Sequence, residues 1–210
     1  MENITVTGII IAITCLISYK AFNDQGFFRS NMHHPYSEHQ HKEYHRLLSS
    51  GFLHGSLMHL LLNMYVLYEF GSVVERLFIL EFGLVGGRSA YIAMYILTIV
   101  AANLYTHFKH KDWSGYSAIG ASGAVSGILF SYVIFYPWSM LGIFFVIPCP
   151  AIVFAVLYLV YSSWASKNSN DNIGHDAHFW GAVFGMAFTF VLKPSLIMSF
   201  LNRLANLPGF

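Results

Sequence analysis

The sequence predicts an all-α polytopic membrane protein, a single domain of six packed transmembrane helices. Of the 210 residues, 56% are hydrophobic and only 10% are charged, a balance that is unusual for a soluble globular domain. A spanning helix needs about 20 mostly apolar residues. Once loops are allowed for, the chain has room for roughly six such spans and for no separate soluble domain.

The apolar segments give the approximate positions of the spans along the single domain of residues 1–210. We expect them at residues 4–22, 56–74, 90–108, 120–137, 151–165 and 175–192. Residues 140–150 are apolar but interrupted by Pro148 and Pro150, so we interpret them as an interfacial connection into the fifth span. The tail from residue 195 onward favours a short amphipathic helix on the membrane surface.

The connection between the first two spans, residues 23–52, is long and rich in histidine and aromatic residues. Its length is unusual for a passive turn in a compact bundle, and its aromatic content is unusual for a flexible linker. Aromatic side chains are enriched where a membrane meets water. We therefore expect this first loop to lie partly on or in the interface.

Charge, cysteine content and internal symmetry exclude several classes of function. The formal net charge is +1 and lysine and arginine form no cluster, so we expect no nucleic-acid partner. Cys15 and Cys149 lie in separate apolar stretches and indicate neither a disulfide framework nor a metal knuckle. No internal repeat is apparent, which argues against a transporter built from duplicated halves.

A serine hydroxyl lies among small residues at the start of the fourth span. The stretch is Gly120, Ala121, Ser122 and Gly123. A nucleophilic serine must be reachable by a carbonyl group and must have backbone N–H groups near the developing oxyanion. By itself, such a cluster is more often a close-packing surface between membrane helices. Partners elsewhere in the chain must decide between the two interpretations.

The sixth span carries small residues that favour close packing against the fourth. His178, Gly181 and Gly185 share one face of this helix because they are three and seven residues apart. A Gly-x-x-x-Gly face lets another helix backbone come close. We expect the fourth span to be that neighbour, through its own Gly120 and Gly123.

Three spans point polar groups at one level of the predicted bundle. Spans four and six run parallel, so Ser122 and His178 have similar depth, and no intramembrane carboxylate is placed to orient the histidine. The residues therefore predict a Ser–His dyad with His178 as general base. His59 and Asn63 share one face in the first half of the parallel second span. Their side chains are suitable hydrogen-bond donors to an oxyanion. The structural alternative is that they form hydrogen bonds to another helix.

These residues and their neighbours resemble the motifs of the rhomboid intramembrane serine proteases. The motifs occur in the order found in that family. They are residues 54–64 (HGSLMHLLLNM), Gly71 with Glu75, residues 120–123 (GASG) and residues 178–185 (HFWGAVFG). The resemblance covers nearly the whole chain and implies the six-span core form of the family.

The resemblance implies that Ser122 is the nucleophile and His178 the general base and acid of an endopeptidase. Its substrates would be the transmembrane segments of single-span membrane proteins. His59, Asn63 and the Ser122 backbone N–H would donate hydrogen bonds to the oxyanion. Residues 23–52 would form the half-submerged first loop of the family. No cofactor and no metal is implied, and the expected partners are transmembrane protein substrates and membrane lipids.

Two positions depart from the pattern of the family. Many members have Trp-Arg in the first loop, whereas here Tyr44 and His45 precede Arg46, which leaves the anchoring of this loop open. Some members have a tyrosine four residues after the nucleophile that supports the histidine ring, but here that position is Ser126. The orientation of His178 is therefore left to another group.

Charge and resemblance predict opposite orientations in the membrane. In a six-span arrangement more lysine and arginine residues lie on the side opposite the two termini, so the positive-inside rule would place the termini outside. Six-span members of the family usually keep both termini in the cytoplasm, and we follow the family here. The resulting expectation is a bacterial inner-membrane protein whose active site opens to the outer side.

Two other functions stay open from the sequence. The chain has eleven histidines, and His175 and His178 are three residues apart. This pattern leads to the alternative hypothesis of a metal-dependent membrane hydrolase or transporter. A full metal site needs three protein ligands, however, and the other candidates are scattered over separate segments. We expect the histidines of the first loop to face solvent or lipid headgroups instead. A non-catalytic relative that binds membrane segments would typically lack Ser122 or His178, and both are present.

Overall fold

The computed structural model describes residues 4–143, 146–169 and 173–206. Nearly all regular structure in this part of the chain is helical, which confirms the predicted all-α membrane bundle. The α-helices in chain order are α1 (Val6–Asn23), α2 (Gln25–Asn31), α3 (Pro35–Gln40), α4 (Arg46–Ser49), α5 (Leu57–Val66), α6 (Ser72–His110), α7 (Ser122–Phe135), α8 (Ala151–Asn168), α9 (His175–Leu192) and α10 (Ser195–Ala205). A 3-10 turn, Ser50–Phe52, follows α4, and a π-helical turn, Leu67–Gly71, joins α5 to α6.

Helices lie at all six predicted spans. By length and composition, α1 and the stretch Leu57–His110 are apolar enough to cross a membrane. Helices α9 and α10 pass the same test as one broken span, bent by 115°. Helix α7 is apolar but has only 14 residues, because it begins at Ser122 and ends before the turn at Pro137.

The second and third predicted spans are the two arms of a helical hairpin within the stretch that contains α6. Gly83 has a φ of 75°, a conformation that glycine adopts without steric cost, and the chain reverses there. A Cβ atom on Gly87 would collide with the backbone of Phe78 and Ile79, so the two arms touch backbone to backbone. The sequence predicted a glycine-rich connection over residues 77–88, whereas both arms continue as helix to this tight turn.

A buried carboxylate joins the first arm of the hairpin to the start of α1. Glu75 is 2% exposed and accepts hydrogen bonds of 2.8 Å each from the backbone N–H groups of Val6 and Thr7 and from the Thr7 hydroxyl. N–H groups in the first turn of a helix lack partners within the helix, and negative charge there is favourable. Glu75 thereby holds α1 against the hairpin.

The first loop is folded around one arginine. The Arg46 guanidinium is buried and donates from Nη1 to the backbone carbonyls of Arg29, at 2.6 Å, and Met32, at 3.2 Å. Its Nε also donates to the Glu43 carboxylate at 2.7 Å. Arg46 therefore joins α2 to α4. These contacts anchor the first loop, in which the Trp-Arg pair is absent.

A second set of contacts ties the first loop to the bundle. The Glu38 carboxylate lies between the Nδ1 atoms of His33 and His107, each at 2.6 Å, and both Glu38 and His33 are fully buried. The expectation that the histidines of the first loop face solvent or headgroups is wrong for His33, because Glu38 satisfies it inside the protein. The His33 backbone also pairs with Ala118 in a β-bridge, which holds the segment that leads into α7.

Within the predicted interfacial connection, residues 140–143 and 147–150 form two paired strands. Strands β1 (Met140–Ile143) and β2 (Ile147–Pro150) pair antiparallel, with Gly142 opposite Pro148. Proline is tolerated because each strand of a two-stranded sheet has an open edge where N–H groups need no strand partner.

The predicted tail helix is α10, which docks on the end of α7. Arg203 donates to the backbone carbonyls of Phe135, at 2.8 Å, and Ile134, at 3.3 Å. In return, the Trp138 indole donates to the Arg203 carbonyl at 2.8 Å. Cationic side chains commonly satisfy the last carbonyls of a helix. Here that contact holds α10 against the end of α7.

Candidate active site

Ser122 is the first residue of α7, and its side chain is half-buried. Its backbone N–H belongs to the first turn, where helical N–H groups have no partner within the helix. The turn before it depends on Gly120, whose φ of 120° is unfavourable for any residue with a side chain. The Gly120 N–H donates to the Ser50 carbonyl at 3.0 Å, which fixes this turn against the end of the first loop.

The ring of His59 packs on the same turn. A Cβ atom on Gly120 would lie 2.9 Å from Cε1 of His59, 3.1 Å from its Nε2 and 3.7 Å from Oγ of Ser122. The imidazole and the serine hydroxyl therefore both lie beside the position that a side chain on Gly120 would occupy. Gly120, which the sequence analysis grouped with the glycines of the helix-packing face, precedes α7 and faces His59 instead, because the chain is still in the turn at that residue.

Helices α7 and α9 touch backbone to backbone over two successive turns. A Cβ atom on Gly181 would collide with the Gly123 carbonyl, and one on Gly185 would collide with the backbone of Gly127. From the other side, a Cβ atom on Gly127 would lie 2.9 Å from the Gly181 carbonyl oxygen. Because only glycine leaves space for such an approach, these four residues set the distance between the two helices.

This packing places Ser122 and His178 on adjacent helices at the same level. A Cβ atom on Gly123 would lie 3.3 Å from the Ala177 carbonyl oxygen. Ser122 is the residue before Gly123, and His178 is the residue after Ala177. The His178 side chain, like that of Ser122, is half-buried.

The rings of Tyr158 and His175 contact His178. Its imidazole stacks on the ring of Tyr158 from α8, with centroids 6.1 Å apart and planes inclined by 24°, and the ring of His175 meets it edge-on at 6.0 Å. The Tyr158 hydroxyl lies 2.5 Å from Oγ of Ser126, which donates to the Ser122 carbonyl at 2.8 Å. The sequence does not predict a role for Tyr158, because nothing in the local pattern of α8 indicates which of its residues faces the histidine.

Asn63 lies one turn after His59 and is 8% exposed. Its Nδ2 donates to the His59 carbonyl at 2.9 Å, a bond within α5 and not a bond to another helix. A side-chain amide has two N–H groups, so this bond engages one of them. The Ser56 hydroxyl caps α5 by accepting from the His59 N–H at 3.2 Å.

His54 supports the turn before Ser122, a role that the sequence analysis missed. The Ser18 hydroxyl donates to the Phe52 carbonyl at 2.9 Å and lies 3.0 Å from Nδ1 of His54. A hydroxyl has one hydrogen, so Nδ1 of His54 must be the donor to Ser18, and Nε2 is left to accept from the Ala121 N–H at 3.5 Å. Burial, with a smaller effect of the nearby His59 ring, lowers the pKa of His54 to about 3, which keeps it neutral.

Metal-ligating side chains do not converge in the part of the chain that the structure describes. Residues 4–143, 146–169 and 173–206 contain no group of three or more His, Cys, Asp or Glu side chains that could hold a metal ion. His175 and His178 meet edge to face, and the first-loop histidine His33 is engaged by Glu38.

Sequence comparisons match this chain to one family. The family described as Rhomboid domain matches residues 41–195. The protein RHOMBOID-like protein 12, mitochondrial, from Arabidopsis thaliana is 28% identical over 185 residues, which cover 84% of this chain and 55% of that protein. Presenilin-associated rhomboid-like protein, mitochondrial, from Homo sapiens and from Mus musculus is 28% identical over 146 residues, covering 67% of this chain and 36% of each relative.

The chain thus spans about half, or less, of the length of these curated relatives. Their names place them in mitochondria, so they give no support to the expected bacterial inner membrane.

Proposed function

Since the chain belongs to the rhomboid family, we propose that it is an intramembrane serine endopeptidase that cleaves transmembrane segments of single-span membrane proteins. The observation that carries this proposal is the backbone contact between α7 and α9 at Gly123 and Gly181. It brings the start of α7, with Ser122, against the part of α9 that bears His178. A packing interface alone would not require a hydroxyl and an imidazole at that level.

In the proposed reaction, His178 takes the proton from the Ser122 hydroxyl while Oγ attacks the carbonyl carbon of the scissile peptide. The resulting oxyanion accepts hydrogen bonds from the Ser122 backbone N–H, from the His59 ring and from the second N–H of the Asn63 amide. His178 then returns the proton to the leaving amine, which frees the new amino terminus. Water repeats the sequence on the acyl-enzyme and releases the carboxylate with Ser122 regenerated.

The dyad requires no carboxylate in this proposal. Asp176 is engaged outside the site, since Lys109 donates to its carboxylate at 2.8 Å and thereby links α6 to α9. The rings of Tyr158 and His175 that pack on the imidazole contribute to its orientation.

We also propose that the six helical segments at the predicted spans cross the bilayer within one domain and contact lipid directly. Large apolar side chains on their outer faces are exposed, which is favourable only against lipid or a transmembrane partner. The substrate is therefore expected to approach from within the membrane.

The test is covalent labelling of the purified full chain with a fluorophosphonate, read together with cleavage of a single-span substrate. Wild-type protein is expected to be labelled at Ser122, Ser122→Ala to be unlabelled, and His178→Ala to react at least about 100-fold more slowly. Ser131→Ala is the matched control, because Ser131 is a buried serine of α7 whose hydroxyl pairs with Thr189 at 2.8 Å, away from the site. It should be labelled like the wild type. Wild-type protein that binds the substrate but is neither labelled nor active would instead be a non-catalytic member of the family.

A further inference from the structure

The support for the His178 ring comes from a different helix than Ser122. Four residues after Ser122, α7 carries Ser126, whose short side chain cannot stack on an imidazole. The stacked ring belongs to Tyr158 of α8, with its centroid 6.1 Å from that of His178 and the planes inclined by only 24°. This geometry is the offset parallel arrangement that aromatic rings favour.

The Tyr158 ring is held in place at its hydroxyl end. Ser126 has one hydroxyl hydrogen, which it gives to the Ser122 carbonyl at 2.8 Å. The Tyr158 hydroxyl, 2.5 Å from Oγ of Ser126, must therefore be the donor in that bond. The result is a chain of hydrogen bonds from Tyr158 through Ser126 to the peptide of Ser122.

Two further rings hold the flanks of Tyr158. Phe130 of α7 packs on it with centroids 5.8 Å apart, and Phe154 of α8, one turn earlier, lies 5.7 Å away. A side chain fixed by a hydrogen bond at its tip and by rings on its sides has little rotational freedom. Its face is a rigid surface for the imidazole of His178.

We propose that Tyr158 is a positioning residue for His178, which it holds at the angle needed to take the proton from Ser122. The inference rests on the proposed protease function. A general base must bring one ring nitrogen within about 2.6 to 3.2 Å of the hydroxyl that it deprotonates. The stacked Tyr158 ring restricts the rotation of the imidazole without exchanging a proton.

The arrangement makes the dyad a three-helix assembly. Ser122 comes from α7, His178 from α9 and the orienting ring from α8. The hydrogen bond between Tyr158 and Ser126 is one of the contacts between α8 and α7. The base is therefore in place only while α8 is packed against α7.

The experiment measures the rate of fluorophosphonate labelling of Ser122, and kcat and KM for a single-span substrate, per folded molecule. Tyr158→Leu removes the stacked ring, and we expect labelling and kcat to fall about 10- to 100-fold with KM within about threefold, since small misplacements of a reacting group have effects of this size. Tyr158→Phe keeps the ring and loses only the hydroxyl. It should restore labelling and kcat to within about threefold of the wild type.

The control is Tyr161→Leu, the same change on the same helix, at a ring that is 53% exposed and packs on Trp164 and His175. It should label like the wild type. Equal labelling of Tyr158→Leu and the wild type would overturn the positioning role and leave the nucleophile in place, as would a Phe variant as slow as the Leu variant. Absence of labelling in the wild type would overturn the proposed function, and the positioning role with it.

Discussion

Gly181 of α9 lies so close to the carbonyl of Gly123 in α7 that a methyl group cannot fit between the two backbones. We predict that Gly181→Ala lowers stability by about 1 to 3 kcal/mol or more, because backbone atoms must move to relieve the collision. Turnover should be lost as well, since α7 and α9 carry the two halves of the proposed dyad. Melting temperature and substrate cleavage on one purified sample measure both effects.

The control for this variant is Gly174→Ala, at the residue before α9. Among the residues that the structure describes, a Cβ atom there meets only the Cβ of Ala177, at the ordinary contact distance of 3.7 Å. Its melting temperature and turnover should stay close to those of the wild type. If Gly181→Ala behaved like Gly174→Ala, close packing of the two helices would not be what the site requires.

Ser122→Ala and His178→Ala should each abolish cleavage, and their effects should not add. Residues that act as one unit give a double variant about as inactive as either single variant. The bundle should remain folded in all three proteins, because both side chains are half-buried and α7 and α9 are held together by glycines. Residual cleavage rates, measured with enough enzyme to detect them, test this. A double variant much slower than both single variants would contradict a dyad.

Asn63→Ala should lower kcat by about 10²- to 10³-fold with little change in KM, as the loss of one oxyanion donor commonly does. Its stability should change little, because the hydrogen bond that Asn63 makes lies within its own helix.

Asn103→Ala is the matched control for Asn63→Ala. Asn103 is equally buried, at 8% exposure, but its amide donates to the Leu47 carbonyl at 2.9 Å and to the Ser50 hydroxyl at 3.1 Å. Its removal should lower the melting temperature and leave turnover per folded molecule nearly unchanged. If Asn63→Ala likewise lowered the melting temperature and left turnover per folded molecule nearly unchanged, the proposed oxyanion role of Asn63 would be refuted.

Acid should destabilise the anchor of the first loop at Glu38. Burial by itself raises the pKa of this carboxyl group, but hydrogen bonds and charge from His33, with further bonds from His107 and the His34 backbone, outweigh burial and hold the pKa below its ordinary value of 4.5. The unfolded chain then binds more protons than the folded chain in this range. The stability that Glu38 contributes is therefore complete above about pH 4.5 and is lost as pH falls through the lower folded value.

Melting temperatures measured from pH 7 to pH 3 test this prediction. Glu38→Gln should be less stable than the wild type near neutral pH, and the difference should shrink in acid. Asp112→Asn, at an exposed carboxylate in the loop before α7, should keep the pH dependence of the wild type. A wild type and a Glu38→Gln variant that lose stability in parallel would show that Glu38 is not the titrating anchor.

The sequence by itself determined the helical membrane bundle and the approximate positions of most of its helices. The composition argues against a soluble core, and apolar segments near the length that a bilayer requires indicate where helices lie. Helical periodicity places His178 with Gly181 and Gly185 on one face, and His59 with Asn63 on another, before any packing is known. Those inferences need only local geometry and the cost of polar groups in lipid.

Only the tertiary structure decided what lies beside these faces. Gly83 lies in a glycine-rich segment that could have formed a loop, and only the packing of the two arms shows that it makes a tight turn. From the sequence, His33 is expected to be an exposed polar residue, whereas in the structure it is buried beside Glu38. The ring that stacks on His178 belongs to Tyr158, which is 20 residues away and on another helix. Such contacts depend on the rotation, height and crossing angle of each helix against its neighbours, and these follow from the sum of many small packing energies, not from the sequence of any one helix.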